Sequence, residues 1–435
     1  MYNDNIELLK LVHLSQFDID HNHTTVYVDM STNEITIHLY LNPRFRDCPY
    51  CKSNGALIHD RKIKRIYHPI MEKRKIMIIF HQIKFQCKEC GHYFMQFNPI
   101  VSNSKNISTI GELYILESLR KQRKTFKDVS NELFIPQTSV IRCFDEHINL
   151  ERHKLTKVLC FDEIYAKKLT KTKYAFIIFD PISSTILDIL DARLKNVLVD
   201  YFARIPIKER LNVLYVNIDM WETYKIVAQN AFPNATICVD SFHVIEHLND
   251  AMDKIRLQVQ RRFVEHKDDD RNGYYWLLKT FHYYFIKDFN DINYTRKPNS
   301  HYSYLWTKHD VLNKLLSIDK NLAEAYWLKE EYREFNLCGT YEEALYKIDD
   351  FIERFKKAHY VEFREFASMI ERWKFEIINS FLIVDGIRMS NGSMESLNGR
   401  LKRVLHDGYG YSNMPRFRNR VMFCINKNEP INFKN

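Results

Sequence analysis

Hydrophobic and polar positions divide this chain into stretches of different period. Residues 24–42 (TTVYVDMSTNEITIHLYLN) alternate apolar and polar side chains around Ser31, Thr32 and Asn33, which predicts a β-hairpin. Strands over 63–70 and 75–86 predict a second. Residues 107–150 switch to a helical period. Within them, 125–147 predicts two helices about a tight turn at Ile135 and Pro136, the first holding Val129 and Leu133 and the second capped by Thr138 or Ser139. From about 155 the texture becomes α/β. An apolar strand in 157–168 ends on Asp162, and strands at 173–181 and in STILDIL complete a meander. An amphipathic helix over 194–205, a buried strand over 211–221 ending on Asp219, another helix, a strand over 235–240 and a long basic helix over 241–263 follow. Residues 264–380 are helical, aromatic and heavily charged, with a loop at 293–306. A last helix starts within NGSMESLNGRLKR, 391–403: Asn391 and Gly392 break the preceding run, Ser393 caps, and Leu397 and Leu401 recur as a buried stripe. Glu395, Asn398 and Lys402 share another face of it.

Three strands, helix, strand, helix, strand, helix is the element order of a ribonuclease-H-like sheet with helices on both faces. The pattern therefore predicts an α/β ribonuclease-H-like core interrupted by an all-α insertion and preceded by two small modules. Their bounds are 1–100 for β-hairpins with a zinc-binding module, 101–154 for a helix-turn-helix, 155–263 for the first part of the core, 264–380 for the insertion, and 381–435 for the rest of the core, with the Glu395 helix and a basic tail.

Composition narrows the partners. The 435 residues, 45% of them hydrophobic, suffice for a sizeable core, and 64 basic against 55 acidic residues give a net charge of +9. That balance points to an anionic partner, nucleic acid first and a membrane surface second. No apolar run of about 18 residues, and no basic start leading into an apolar core, is present. The nine cysteines are an odd number, unlike a secreted disulfide framework. A soluble intracellular protein is expected. Four of the cysteines form two pairs, Cys48-Pro49-Tyr50-Cys51 and Cys87-Lys88-Glu89-Cys90. Two such knuckles at hairpin tips present four thiolates tetrahedrally, which suits a structural Zn²⁺; the alternative is four reduced thiols that bind nothing. Between them Arg61, Lys62, Lys64, Arg65, Lys73, Arg74 and Lys75 interleave with Tyr67 and His68. Such a density of cations suits phosphate contact, against an ordinary soluble surface. The second helix of the 125–147 pair would enter the major groove with Gln137, Thr138, Ser139 and Arg142 toward the bases, against a plain helical hairpin.

Three acidic residues carry the chemistry. Asp162 and Asp219 are expected on neighbouring strands of the sheet, and a helix after the last strand can bring Glu395 to them. Carboxylates so gathered ionise with difficulty unless a divalent cation neutralises them, so the cluster suits Mg²⁺ or Mn²⁺. Two such ions support phosphodiester displacement by water or a 3′-hydroxyl. Glu163 points to the opposite face by strand alternation.

The zinc-type cysteine pairs, the helix pair, FDE at 161–163, NIDMW at 217–221, VDSFH at 239–243 and NGSMESLNGRLK at 391–402 together resemble a bacterial insertion-sequence transposase of the DDE class, most closely the ISL-three family. The resemblance implies Asp162, Asp219 and Glu395 as a metal-binding triad, and a helical insertion that contacts DNA ends and other copies. It implies double-stranded DNA, both transposon ends and target, as partner, a homodimer or higher oligomer on that DNA, and a cytoplasmic, nucleoid-associated protein. Asp240 and His243 resemble a motif of these transposases, with His243 assisting the leaving group or orienting the phosphate, against a helix cap and a packed imidazole. Trp221 stacks on a flipped base or packs behind its strand. Asn398 and Lys402 hold DNA phosphates. The function so implied is cleavage and joining of DNA strands at terminal inverted repeats; the alternatives are a catalytically silent regulator derived from a transposase and a structure-specific nuclease of the same fold.

Overall fold

The computed structural model describes residues 2–433 apart from 44–46, 102–104, 171, 267–272, 293–296, 300–301, 390–391, 409–410 and 427, and omits the side chains of 2–5, 297–299, 302–306, 338 and 392–395. The chain divides into an N-terminal unit, residues 1–151 with 400–435, and a central unit, 152–399.

In the N-terminal unit, helix α1 (Tyr2–Leu11) precedes strands β1 (Thr25–Asp29), β2 (Glu34–Leu39), β3 (Ala56–Tyr67), β4 (Lys75–Cys87) and β5 (Tyr93–Met95). They form one sheet in the order β1-β2-β4-β3, with β5 also on β4. Strand alternation sends Ile35, Ile37 and Leu39 of β2 and Ile76, Ile78 and Phe80 of β4 to one face, where they bury against Leu9 and Val12. His68 closes this core. Its Nε2 lies 2.8 Å from the Val12 carbonyl and so donates, leaving Nδ1 to accept from the Ser108 hydroxyl at 2.6 Å. Burial pushes this imidazole down to about 4.

Helices α2 (Thr109–Arg120), α3 (Phe126–Leu133) and α4 (Gln137–His147) follow. Thr125 and Asp128 form a reciprocal capping box at the start of α3, and Phe134 ends it in the left-handed region at φ 53°. The cap expected at Thr138 or Ser139 is not found: α4 begins at Gln137, with Pro136 at the cap position and no side-chain cap bond. Proline supplies the entry geometry, its φ of −58° being fixed by the ring. Thr138 and Ser139 therefore lie inside the first turn.

The central unit opens with β6 (Val158–Tyr165), β7 (Tyr174–Asp180), β8 (Thr185–Leu190), α5 (Lys195–Ala203), α6 (Ile207–Arg210), β9 (Tyr215–Ile218), α7 (Glu222–Ala231), β10 (Thr236–Val239) and α8 (Ser241–Arg261). The sheet order is β10-β9-β6-β7-β8. β6, β7 and β8 are antiparallel; β6, β9 and β10 are parallel. β6 does not end on Asp162 as the sequence suggested. It continues because Ile164 is buried and the pairing to β7 runs on to Tyr165 opposite Tyr174.

Next come α9 (Tyr274–Thr280), β11 (Lys297–Asn299), β12 (Tyr302–Trp306), α10 (Lys308–Leu316), α11 (Lys320–Cys338), α12 (Tyr341–Lys357), α13 (Val361–Arg372) and α14 (Lys374–Asn379). The region read as entirely helical thus contains one short antiparallel hairpin, within the expected loop. A single hydrophobic core runs from the sheet (Phe161, Phe176, Val216) through α8 (Leu248, Met252, Ile255) into Tyr326, Tyr332, Phe355 and Phe366. The insertion therefore shares α8 with the sheet. The return path is specific. Asn379 Nδ2 donates to the Ile237 carbonyl of β10 at 2.9 Å, strands β13 (Ile383–Val384) and β14 (Ile387–Arg388) form a hairpin, and Met389 packs against Val158 and Cys238. Helix α15 (Gly392–Asp407) starts there, and the division between the units falls within it.

Helix α16 (Met414–Ile425) belongs to the N-terminal unit. Its basic residues face the protein. Arg420, 1% exposed, donates to the Lys121 and Lys124 carbonyls, and Arg418 to that of Leu150. No helix among the described residues is long and apolar enough to cross a membrane.

Candidate active site

Parallel pairing of β6 with β9 sets Cys160 opposite Asn217. Continuing that register by two residues aligns Asp162 with Asp219, which stands just beyond the end of β9. The two carboxylates are thus neighbours because of strand order, and both lie on the face toward which odd-even alternation does not send Glu163. Burial pushes Asp162 up to about 6, and the charge of Asp219 adds to the shift. Asn398 of α15 donates from Nδ2 to Asp162 Oδ2 at 2.6 Å, while its Oδ1 is buried with no partner among the described residues. The amide expected on a phosphate is therefore engaged with the carboxylate.

Asp240 caps α8, accepting from the Phe242 N–H at 3.0 Å, and is 4% exposed. One turn on, His243 Nδ1 lies 3.8 Å from Asp219 and 3.1 Å from Glu246, and its Nε2 lies 3.8 Å from Asp240. Burial draws the imidazole pKa down, but Asp219, Asp240 and Glu246 outweigh it and hold the value above the ordinary one. Glu395 stands on α15 one turn before Asn398; its side chain lies outside the described residues, as does the expected cap Ser393.

Glu163 turns the other way. It pairs with Arg193 and accepts from the Tyr224 hydroxyl at 2.8 Å. The Arg193 guanidinium lies 4.1 Å from the Tyr174 ring centre and 4.7 Å from that of Trp221. Trp221 is half-buried, with Tyr224 edge-on at 4.7 Å, so one face of its ring is already occupied. The sequence reading missed Asn217, a buried polar residue whose Nδ2 donates to the Met389 carbonyl at 3.3 Å and ties β9 to the approach of α15. A lone Asn within VNID was the available signal.

In the N-terminal unit the Sγ atoms of Cys48, Cys51, Cys87 and Cys90 all lie within 4.8 Å of one another. Each knuckle folds around its sulfurs: Lys52 N–H donates to Cys48 O at 2.9 Å, and Gly91, at φ 71°, donates to Cys87 O at 3.1 Å. The Cys90 N–H and the Ser53 hydroxyl draw the Cys87 thiol down to about 6. Four converging thiols, one already biased to thiolate, fit a tetrahedral zinc ion.

Lys62, Lys64 and Arg65 lie on β3, with Lys62 and Arg65 exposed and Lys64 half-buried. Lys73 and Arg74 form the turn into β4, Lys73 at φ 62° and exposed. Lys75 is tied to Glu34 at 2.6 Å. Gln137, Thr138 and Arg142 are exposed on α4, and Ser139 is half-buried. Lys402 is exposed on the part of α15 that belongs to the N-terminal unit.

Carboxylates aligned on adjacent parallel strands with a histidine beside them are an arrangement that suits metal-dependent phosphodiester chemistry. A family profile described as "Transposase" matches residues 159–421, more than half of the chain, and the chain belongs to that family, the DDE transposases of the ISL-three type. It is also similar to the "Transposase for insertion sequence element IS1001" of Bordetella parapertussis, at 18% identity over 391 residues that cover 88% of this chain and 90% of that protein.

Proposed function

We propose that this transposase binds the terminal inverted repeats of its own element through the N-terminal unit and cuts and joins DNA strands at a site built from Asp162, Asp219 and Glu395. The alignment of Asp162 with Asp219 across β6 and β9 carries the reading. The pair fits a divalent cation: burial and the neighbouring Asp219 charge both disfavour an ionised Asp162, a cost that a bound cation would offset, and Asn398 Oδ1, without a partner among the described residues, is a further buried acceptor beside it. Bound there, Mg²⁺ or Mn²⁺ supplies activation of the attacking water or 3′-hydroxyl and stabilisation of the leaving oxygen. The chain's own residues do the rest. Asn398, donating to Oδ2, and the Glu163 N–H, donating to Oδ1, fix the orientation of the Asp162 carboxylate that would hold the ion. His243, whose protonated form is opposed by burial but favoured overall by its acidic neighbours, stands where that form could donate to a phosphate oxygen or protonate the leaving 3′-oxygen. The thiols of Cys48, Cys51, Cys87 and Cys90 hold Zn²⁺ and keep the two knuckles together. Residues 101–154 act as a helix-turn-helix that presents Gln137, Thr138, Ser139 and Arg142 to bases, while Lys62, Lys64, Arg65, Lys73, Arg74 and Lys402 meet phosphates. The central sheet is ribonuclease-H-like in strand order, and synapsis of two ends requires at least a dimer.

Asp219→Asn tests the site: cleavage of a terminal-repeat duplex with Mg²⁺ is lost while binding is kept. Cleavage retained by that variant overturns the assignment. Joining of cut ends to a target separates a transposase from a nuclease of the same fold, and any metal-dependent cleavage excludes a silent regulator.

A further inference from the structure

Helix α4 presents a contradiction of charge. Thr138, Arg142 and Asp145 recur at i, i+4 and i+7 and so share one exposed face. Glu146 is exposed beside them. Carboxylates on a face that approaches DNA repel phosphates. Both acids are answered by cations from outside the helix. Lys105 Nζ lies 3.0 Å from Glu146 and 2.7 Å from Glu112. Arg416 of α16 grips Asp145 as a fork, its Nε 2.9 and 3.1 Å from the two carboxylate oxygens and its Nη2 2.6 Å from Oδ2. The fork is delivered by a fixed element. Asn413 caps α16 by accepting from the Arg416 N–H at 2.8 Å, Phe417 is fully buried, and the buried Arg420 donates to two carbonyls, those of Lys121 and Lys124, in the connection between α2 and α3. Asn419 further bridges the Ile148 carbonyl and the Leu150 N–H.

We propose that Arg416 is a positioning residue for DNA binding: it cancels the charge of Asp145 so that the α4 face bearing Thr138 and Arg142 can approach phosphates. This rests on the reading of α4 as the DNA-facing helix. Arg416 acts through Asp145 and does not itself touch the DNA, so the C-terminal helix is an electrostatic part of the DNA-binding unit. The proposal explains why a basic residue so near the DNA-facing helix is spent on a protein carboxylate.

The test is a mutant cycle on the full-length protein, read by fluorescence anisotropy with a labelled duplex of about 30 base pairs over a range of salt. Arg416→Ala should weaken binding about fivefold, the size of one unscreened negative charge placed near two or three phosphates. Adding Asp145→Asn should restore affinity to within about twofold of the parent, because the uncharged pair no longer needs cancelling. Asp145→Asn alone should bind as well as the parent or more tightly, and it keeps the test open should Arg416→Ala fail to fold; a loss of affinity in this single variant overturns the proposal. A loss in Arg416→Ala that persists in the double variant, with the salt slope reduced by about 0.9, also overturns it, because Arg416 would then be a phosphate contact. Arg142→Ala reports on the underlying reading: unchanged affinity there removes α4 from the DNA, whereas weakened affinity without rescue in the cycle removes only the role of Arg416.

Discussion

The four thiols and the two carboxylates are gathered by opposite means. Each cysteine pair is set by a local turn, closed by backbone bonds within the knuckle itself, and the two knuckles flank a single antiparallel pair in which Ala56 faces Cys87. Asp162 and Asp219 owe nothing to local turns. They meet because β9 passes over the meander to pair with β6, and the helix carrying position 395 arrives only after a long helical excursion anchored at Asn379 and Met389. A site of the first kind would depend on its ligands and on any metal they hold; one of the second kind depends on the whole unit.

The carboxylate site should show the largest effect, and one in which activity and stability move apart. If Asp162 holds the metal as proposed, Asp162→Asn should lower cleavage by about 10³-fold or more, since loss of a metal ligand forfeits several kcal/mol of transition-state stabilisation. In the metal-free protein Asp162 has a pKa raised from 3.8 to about 6, so its ionised form is the one the fold disfavours. The stability tied to its proton is fully present below 3.8 and is lost as pH rises through 6. The asparagine variant should accordingly melt above the metal-free parent at pH 8, the gap closing by pH 4, and Mg²⁺ should raise the melting point of the parent alone. A parent that melts higher without metal would break the account.

The thiol site should behave as a separable staple. Chelation of zinc, or Cys87→Ser, should unfold the N-terminal sheet around β3 and β4 and abolish duplex binding, while the thermal transition of the central unit stays within a few degrees of the parent. Calorimetry resolving two transitions checks this; a shared collapse would mean that the thiols support more than their own hairpin.

His68 gives the N-terminal unit a pH dependence opposite in sign to that of Asp162 in the central unit. Its pKa falls from 6.5 to about 4 on folding, so the unfolded chain binds the proton more readily. The unit should lose stability as pH drops below 6.5, with the loss complete near 4 and amounting to about 3 kcal/mol. Urea denaturation of the parent against His68→Asn at pH 7 and pH 5 would show it; equal slopes for both would remove His68 as the cause.

Legibility in the sequence followed the same division. The cysteine knuckles, the hairpin of β1 and β2, the turn at Ile135 and Pro136, and the order of strands from β6 to β10 were readable because each rests on period or on turn chemistry. The end of β6 was misplaced because an acidic residue in an apolar run reads as a terminus, whereas Ile164 and the pairing with β7 carry the strand onward. The cap of α4 was misplaced because hydroxyl residues follow a proline that had already set the entry. The bond from Asn398 to Asp162 and the fork of Arg416 on Asp145 join residues hundreds of positions apart, and no local pattern announces such a partner.

The smallest effect tests the finest point, that adjacent carboxylates on one strand do different work. Asp162 and Glu163 differ by one position and therefore by one face of the sheet. On its face Glu163 meets Arg193 and the Tyr224 hydroxyl, whose pKa is driven well above its ordinary 10 by burial and by the Glu163 charge. Glu163→Gln keeps the shape and one acceptor oxygen but turns an amide N–H₂ toward one of two donors. That mismatch should cost about 1–3 kcal/mol of stability. Cleavage should stay within severalfold of the parent, because Glu163 faces away from the proposed metal site and Arg193 remains stacked between Tyr174 and Trp221. Mg²⁺ titration of cleavage should give the same midpoint as the parent. A fall in cleavage as deep as that of Asp162→Asn would mean that Glu163 reaches the metal and that alternation along β6 does not separate the two carboxylates.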